Sequence, residues 1–141
     1  MGVSLHGLDD PYISVGGELS GYSHRFFAID GGFSFGFNVN ESIGFGTRFF
    51  FGHNFDTVVF VEGAGLFRYN LPATLSLGYL VLETQVGISV LFEDNETFLK
   101  PMGGASFLWR FPITGSFFME PFIRAGYPYI WAAGFMVGMG F

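Results

Sequence analysis

Cysteine is absent from this 141-residue chain, and charged side chains are scarce. The lack of cysteine excludes disulfides, thiolate metal sites and a cysteine nucleophile. Asp, Glu, Lys and Arg together make up 13% of the residues, against roughly 25% in ordinary soluble domains. So few charges would hardly cover a surface that faces water on all sides.

Basic residues are the rarer of the two charged classes. Six Lys and Arg stand against twelve Asp and Glu, for a formal net charge of -6 at pH 7. Nucleic-acid binding requires a basic stripe that neutralises phosphates. We therefore expect no nucleic-acid partner.

Long apolar segments are missing as well. The longest uncharged run, residues 125–141, falls short of the ~18 apolar residues of a membrane helix, and its glycines and Pro128 are poor helix formers. Residues 1–10 have neither the basic start nor the apolar segment of a secretory signal. We expect no membrane helix and no signal peptide in this chain.

Phenylalanine and glycine are abundant instead, with 21 and 22 copies. They alternate with a period of two: Phe33, Phe35 and Phe37 are separated by Ser34 and Gly36. Alternation of this kind predicts β-strands. Extended along the chain, it predicts one all-β domain over residues 1–141, with residues 1–11 preceding the first strand.

The pattern predicts eight strands, joined by short connections at breaker residues. Their expected ranges are 12–22, 29–40, 42–52, 57–70, 79–93, 97–110, 115–127 and 130–141. The alternation changes phase between residues 71 and 90, where we expect a long turn after Pro72. A hairpin hidden there would make nine strands, and pairing of residues 2–8 would make ten; bacterial single-chain barrels favour even numbers.

The two phases of the alternation differ in charge. Nine charged residues share the phase of the small and polar side chains: Glu18, Arg48, Glu62, Arg68, Glu83, Lys100, Arg110, Glu120 and Arg124. The other phase carries the bulky apolar residues and no charge, from Ile13 to Phe141. The sequence thus predicts a closed antiparallel barrel with one polar and one apolar face.

Volume decides which face is the inner one. An eight-stranded barrel has an interior just wide enough for side chains to fill, too narrow for so many Phe, Trp and Leu. The apolar face is therefore expected outside, as a band that contacts lipid, and closure pairs every backbone group, as lipid demands. Five aromatic residues near the strand ends are expected in the interfacial girdles: Tyr12, Tyr69, Tyr127, Tyr129 and Trp131.

The last segment, residues 133–141, resembles the terminal strand of outer membrane barrel proteins, with alternating Phe135, Val137 and Met139 and a final Phe141. Strand number and length resemble the membrane domain of outer membrane protein A and the OmpX and OmpW families. The resemblance implies a monomer in the bacterial outer membrane, in contact with the bilayer and lipopolysaccharide. It implies periplasmic chain ends and a terminal strand read by the barrel-assembly machinery.

By the same resemblance, the connections near residues 22–27, 53–56, 94–97 and 127–129 would face outward. They are shorter than those of adhesive relatives, which argues against cell-surface recognition.

The nine lumen charges are the strongest candidates for a functional site. Ions withdrawn from water must pair, so we expect the four glutamates to bind the four arginines and Lys100. A static polar plug is one interpretation of such a network. A rearranging gate, which would make a narrow channel for ions or small hydrophobic solutes, is the alternative.

Catalysis would require a histidine beside a nucleophile or acid at the outer rim. Only His6, His24 and His53 are present, and none matches a lipid-modifying or proteolytic barrel signature. No ligand spacing supports a metal site at His24 and His53. We expect no catalytic residues, metal or cofactor, and keep a lipid-modifying enzyme as the third hypothesis.

Overall fold

The computed structural model describes residues 11–22, 27–75 and 77–141. It contains eight strands: β1 (Tyr12–Tyr22), β2 (Phe27–Asn38), β3 (Ile43–Asn54), β4 (Val59–Leu75), β5 (Gly78–Glu93), β6 (Glu96–Thr114), β7 (Phe117–Tyr127) and β8 (Tyr129–Gly140). Each strand pairs antiparallel with its sequence neighbour, and β1 pairs with β8, so the sheet closes. The predicted eight-stranded antiparallel barrel is confirmed.

The short connections have local chemical causes. Asn40 accepts hydrogen bonds from the backbone amides of Ser42, at 2.8 Å, and Ile43, at 2.9 Å, which fixes the turn between β2 and β3. Asp94 and Asn95 both have positive φ, at 46° and 66°, as a two-residue hairpin turn requires. These turns hold consecutive strands in register.

The β4–β5 connection differs from the expectation. The long turn predicted after Pro72 is wrong, because β4 continues to Leu75 and pairs with β5 through Thr74 and Leu75. The register shifts between Asn70 and Thr74, and such an irregularity tolerates a proline, which has no amide hydrogen to donate. The other strand ends lie within two residues of their predicted positions, except that β6 ends at Thr114, four residues after its predicted end.

Both ends of the described chain lie on one side of the barrel, where the Phe141 amide donates to the Pro11 carbonyl at 3.0 Å. We call this side the terminal end and the opposite side the distal end. Residues 1–10, including the expected preceding segment and its alternative strand, lie outside the described residues. No helix long and apolar enough to cross a membrane occurs in the part of the chain that the structure describes.

The alternation orients the side chains as predicted. The bulky apolar phase is exposed, for example Val15, Phe35, Val86, Ile123 and Phe135, whereas the polar phase is buried in the lumen. On β8, Phe135 and Met139 point outward and Met136 and Gly138 point inward. The exterior is therefore an apolar band and the lumen a mixed core.

The lumen also contains bulky aromatic residues, contrary to the volume argument. Phe50, Phe60, Phe118 and Phe122 are buried within it. Opposing glycines make the space: a Cβ on Gly138 would lie 2.3 Å from the Phe118 ring, and one on Gly52 would lie 2.5 Å from that of Phe60. Most phenylalanines point outward, but a lumen lined by glycine admits a few.

The aromatic girdle is only partly as predicted. Tyr127 and Trp131 are exposed near strand ends, and Tyr69 is exposed opposite Ile43, the first residue of β3. Tyr12, however, is 2% exposed and Tyr129 is not exposed at all. Tyr12 belongs to the inward phase of β1, whereas Tyr129 has the outward parity of β8 and is buried where the β1–β8 register shifts between Gly21 and Tyr22. Both contact lumen cations. Their assignment to the girdle was wrong, because the period of two turns Tyr12 inward and the register shift turns Tyr129 inward.

Candidate functional site: the lumen charge network

Eight of the nine predicted lumen charges are buried inside the barrel. They form two clusters along its axis. The terminal cluster lies toward the chain ends and comprises Arg48, Arg68, Glu83, Arg110 and Glu120. The distal cluster comprises Glu18, Glu62 and Arg124, together with Asp30.

The terminal cluster is a chain of five alternating charges joined by four ion pairs. Glu83 lies 2.8 Å from Arg48 Nη1 and 2.8 Å from Arg68 Nε. Glu120 lies 2.7 Å from Arg68 Nη2 and also binds Arg110. The five residues come from β3, β4, β5, β6 and β7, so the chain of ion pairs ties non-adjacent walls of the barrel together.

The distal cluster crosses the lumen in the same way. Arg124 on β7 donates from Nε to Glu18 on β1, at 2.7 Å, and from Nη2 to Glu62 on β4, at 3.1 Å. The Tyr22 hydroxyl donates to Glu62 at 2.8 Å. Arg124 Nη2 also donates to the second oxygen of Glu18, and a two-pronged arginine contact of this kind holds a carboxylate in a fixed orientation.

Aromatic rings stack on the guanidinium groups, a contact that composition and spacing did not predict. The Arg110 carbon Cζ lies 3.9 Å from the Phe118 ring centroid and 4.2 Å from that of Tyr12. Arg124 lies 3.9 Å over Tyr129. Such contacts stabilise a desolvated cation and fill the space around it, so water is displaced from the lumen by rings as well as by ion pairs.

Asp30 is a lumen charge that the sequence interpretation missed. It is 5% exposed and is the cross-strand partner of Glu18, and Ser20 Oγ donates to its Oδ2 at 3.4 Å. The alternation of β2 could have identified it, because Asp30 shares the inward phase of Ser34 and Gly36 on the same strand. With Asp30, the distal cluster has three carboxylates and one arginine, whereas the terminal cluster has three arginines and two carboxylates.

Lys100 does not join either cluster. It is half-buried at the distal mouth, beside Asp56, Val58 and Glu93, and no carboxylate of the described residues lies within ion-pair distance of it. The expected pairing of Lys100 with a lumen glutamate is therefore wrong, because its position on β6 lies beyond the buried layers.

The histidines do not form a catalytic arrangement in the part of the chain that is described. His53 is exposed, and its Nδ1 lies 2.7 Å from the Asn54 carbonyl. His6 and His24 lie outside the described residues. Within residues 11–22, 27–75 and 77–141, no group of three or more His, Asp and Glu is placed to hold a metal ion.

The sequence matches no model of a known protein family and no curated protein. Its fold matches solved structures. Neisserial surface protein A superposes with a TM-score of 0.70 at 11% identity, over 93% of this chain and 97% of that one. The N-terminal barrel domain of OprF from Pseudomonas aeruginosa gives 0.65 at 20% identity, over 94% and 98%.

A de novo designed transmembrane β-barrel gives a TM-score of 0.62 at 16% identity, over 91% of this chain and 95% of that one. At these identities the likeness establishes the fold. The chain has the fold of the eight-stranded outer membrane barrels, as the resemblance of its last strand predicts.

Proposed function

We propose that this chain is a non-catalytic, integral β-barrel of a bacterial outer membrane, with a lumen closed by its own side chains and a structural role. The observation that carries the proposal is the pair of buried ion-pair clusters that cross the lumen. Both chain ends would face the periplasm and the distal end would face outward.

The exterior supports placement in lipid. Val86 is 75% exposed, Ile123 62% and Phe135 55%, and each lies near the middle of its strand. Exposing such side chains to water on every strand would be costly, at about 25 cal/mol for each Å² of apolar surface. Hydrocarbon removes that cost, which supports the proposed contact with the bilayer and its lipopolysaccharide.

The lumen supports a closed state. Glu83, Glu120 and Arg124 are buried and held on two or more sides by charged partners. Removing one partner from such a pair typically costs about 3–5 kcal/mol. An ion path through the lumen would require both clusters to separate, which the pairing opposes.

Planar-bilayer recording tests the closed lumen. The native barrel is expected to show no stepwise conductance, and Glu120→Ala and Arg124→Ala, which each remove a cross-lumen partner, are expected to leak. Glu41→Ala at the exposed β2–β3 turn is the matched control and should stay silent. Stepwise conductance of the native chain would contradict closure and would favour the narrow ion or solute channel.

Two further measurements address the membrane and the chemistry. A heat-modifiability gel should show a folded band that migrates apart from the boiled one. High solubility without detergent would contradict the membrane proposal. His53→Ala and His24→Ala should not change any activity measured on lipopolysaccharide, and a loss in either variant would favour a lipid-modifying enzyme.

The terminal strand is proposed as the segment read by the barrel-assembly machinery, through its outward residues Phe135, Val137, Met139 and Phe141. Phe141→Ala should slow assembly-dependent folding about tenfold, without lowering the urea midpoint of the folded barrel. Phe37→Ala, an exposed phenylalanine at the same end of β2, is the control. Equal slowing of both variants would argue against a signal at Phe141.

A further inference from the structure

An open cavity of about 500 Å³ lies at the distal mouth of the barrel. It is bounded by the connection between β3 and β4 on one side and by the inner face of the β5–β6 hairpin on the other. Residues that matter for its chemistry are Asp56, Val58, Leu91, Glu93, Phe98 and Lys100. This volume is in the range of about 300–1,000 Å³ that small-molecule sites occupy.

The cavity has an apolar floor and one aromatic wall. Val58 and Leu91 are buried at 4% and 6% exposure, while Phe98 remains 41% exposed. Asn54 anchors the β3–β4 side, because its Oδ1 accepts hydrogen bonds from the amides of Asp56, at 3.1 Å, and Val58, at 2.8 Å. The floor is therefore held in place without a ligand.

Among the described residues around the cavity, carboxylates outnumber cations. Asp56 and Glu93 are exposed at its rim, and Glu93 is the cross-strand partner of Glu96. Below it lies the distal cluster, with its three carboxylates and one arginine. Among the described residues of this end, Lys100 and Arg124 are the cations, and Arg124 is already bound by Glu18 and Glu62.

We propose that this cavity binds a small amphipathic organic cation, such as an ammonium group on an aromatic or alkyl body. The cationic group would lie between Asp56 and Glu93, and the apolar body would pack on Val58, Leu91 and Phe98, where an aromatic ring can also attract the cation. The site goes beyond the proposed function, since a mouth cavity binds its ligand whether or not the lumen below conducts.

The charge of Lys100 provides a test of whether the ligand is a cation or an anion. Lys100 lines the cavity, and its ammonium has no ion-pair partner among the described residues. Its charge would therefore repel a bound cation and attract a bound anion. Removing its charge must therefore tighten a cation and weaken an anion. The carboxylates at the rim must have the opposite effect.

The experiment is a titration of the folded barrel in zwitterionic phosphocholine nanodiscs, followed by NMR shifts of the β5–β6 hairpin, with empty nanodiscs as the blank. Benzylammonium is the probe, and benzoate and benzyl alcohol are its anionic and neutral counterparts. Benzylammonium should bind in preference to both. Asp56→Asn and Glu93→Gln should each weaken it about fivefold, and Lys100→Gln should tighten it about threefold.

Two controls separate a local site from general acidity. Glu41→Gln removes one exposed charge at the terminal end, far from the cavity, and should leave affinity within about twofold. Asp94→Asn removes a charge that adjoins Glu93 but does not line the cavity, and it should weaken binding less than Glu93→Gln. A heat-modifiability gel confirms that each variant is folded. Preferential binding of benzoate, equal binding of the neutral alcohol, equal effects of the control variants or no saturable shift would overturn the proposal.

Discussion

Arg68 on β4 and Glu120 on β7 form an ion pair across the lumen, with Arg68 Nη2 2.7 Å from Glu120 Oε2. Two strands, β5 and β6, separate β4 from β7 along the shorter path of the sheet, so this contact depends on closure of the barrel. Glu120 also binds Arg110. One carboxylate is therefore shared by two buried guanidinium groups.

Glu120→Gln should lower the free energy of unfolding by about 3–5 kcal/mol, because Arg68 and Arg110 lose their shared counter-charge while staying buried. Urea unfolding in lipid vesicles measures the change. Glu41→Gln, which removes the same charge from an exposed turn, should stay within about 0.5 kcal/mol. Equal urea midpoints for the two variants would rule out a stabilising role for the terminal cluster.

Asp30→Asn should raise the free energy of unfolding by about 1 kcal/mol, because Asp30 is buried directly opposite Glu18 on the neighbouring strand and like charges in such pairs are destabilising. The amide oxygen of asparagine still accepts the hydrogen bond of Ser20. Glu18→Gln should act in the opposite direction, since Glu18 is the two-pronged partner of Arg124. The same urea assay compares them, and a loss of stability in Asp30→Asn would contradict the charge excess.

Gly36→Ala should destabilise the barrel by about 1–3 kcal/mol, the usual cost of overpacking. A Cβ at this position would lie 2.3 Å from the Tyr12 hydroxyl and 2.5 Å from its ring carbon Cζ. Gly65→Ala is the control, because Gly65 is exposed and its nearest atom would be 3.8 Å away. Tyr12→Leu should restore part of the loss; a Gly36→Ala variant as stable as Gly65→Ala would argue against this packing.

Val86→Arg should cost about 2–4 kcal/mol in a lipid bilayer, as a charge at the bilayer midplane does. Val86 pairs with Gly65 and Gly103, near mid-barrel. Ile113→Arg, near the terminal turn and also exposed, should cost only about 0–1 kcal/mol. Folding yield and urea stability in vesicles measure both variants. Equal costs for Val86→Arg and Ile113→Arg would mean that the apolar band does not face hydrocarbon.

The orientation of nearly every strand residue was predictable, because alternation has a period of two that the extended backbone imposes. Val86 and Phe135 face outward and Glu83 and Met136 face inward for that reason alone. Turns were predictable where one residue fixes them, as Asn40 does. The β4–β5 turn was misplaced because Pro72 lies in a strand whose register shifts, a feature that has no distinct sequence signal.

The sequence by itself determined the eight alternating strands, the outer and inner phases and the inward phase of eight of the nine predicted lumen charges. Only the tertiary structure decided which charges meet, because pairs such as Arg68 with Glu120 depend on the stagger at which the sheet closes. It also decided that Tyr12 and Phe118 fit inside, because Gly36 and Gly138 leave them space. Lys100 lies at the mouth for a related reason. The alternation of a single strand determines which face a side chain occupies, but the register of the closed barrel determines its depth along the lumen.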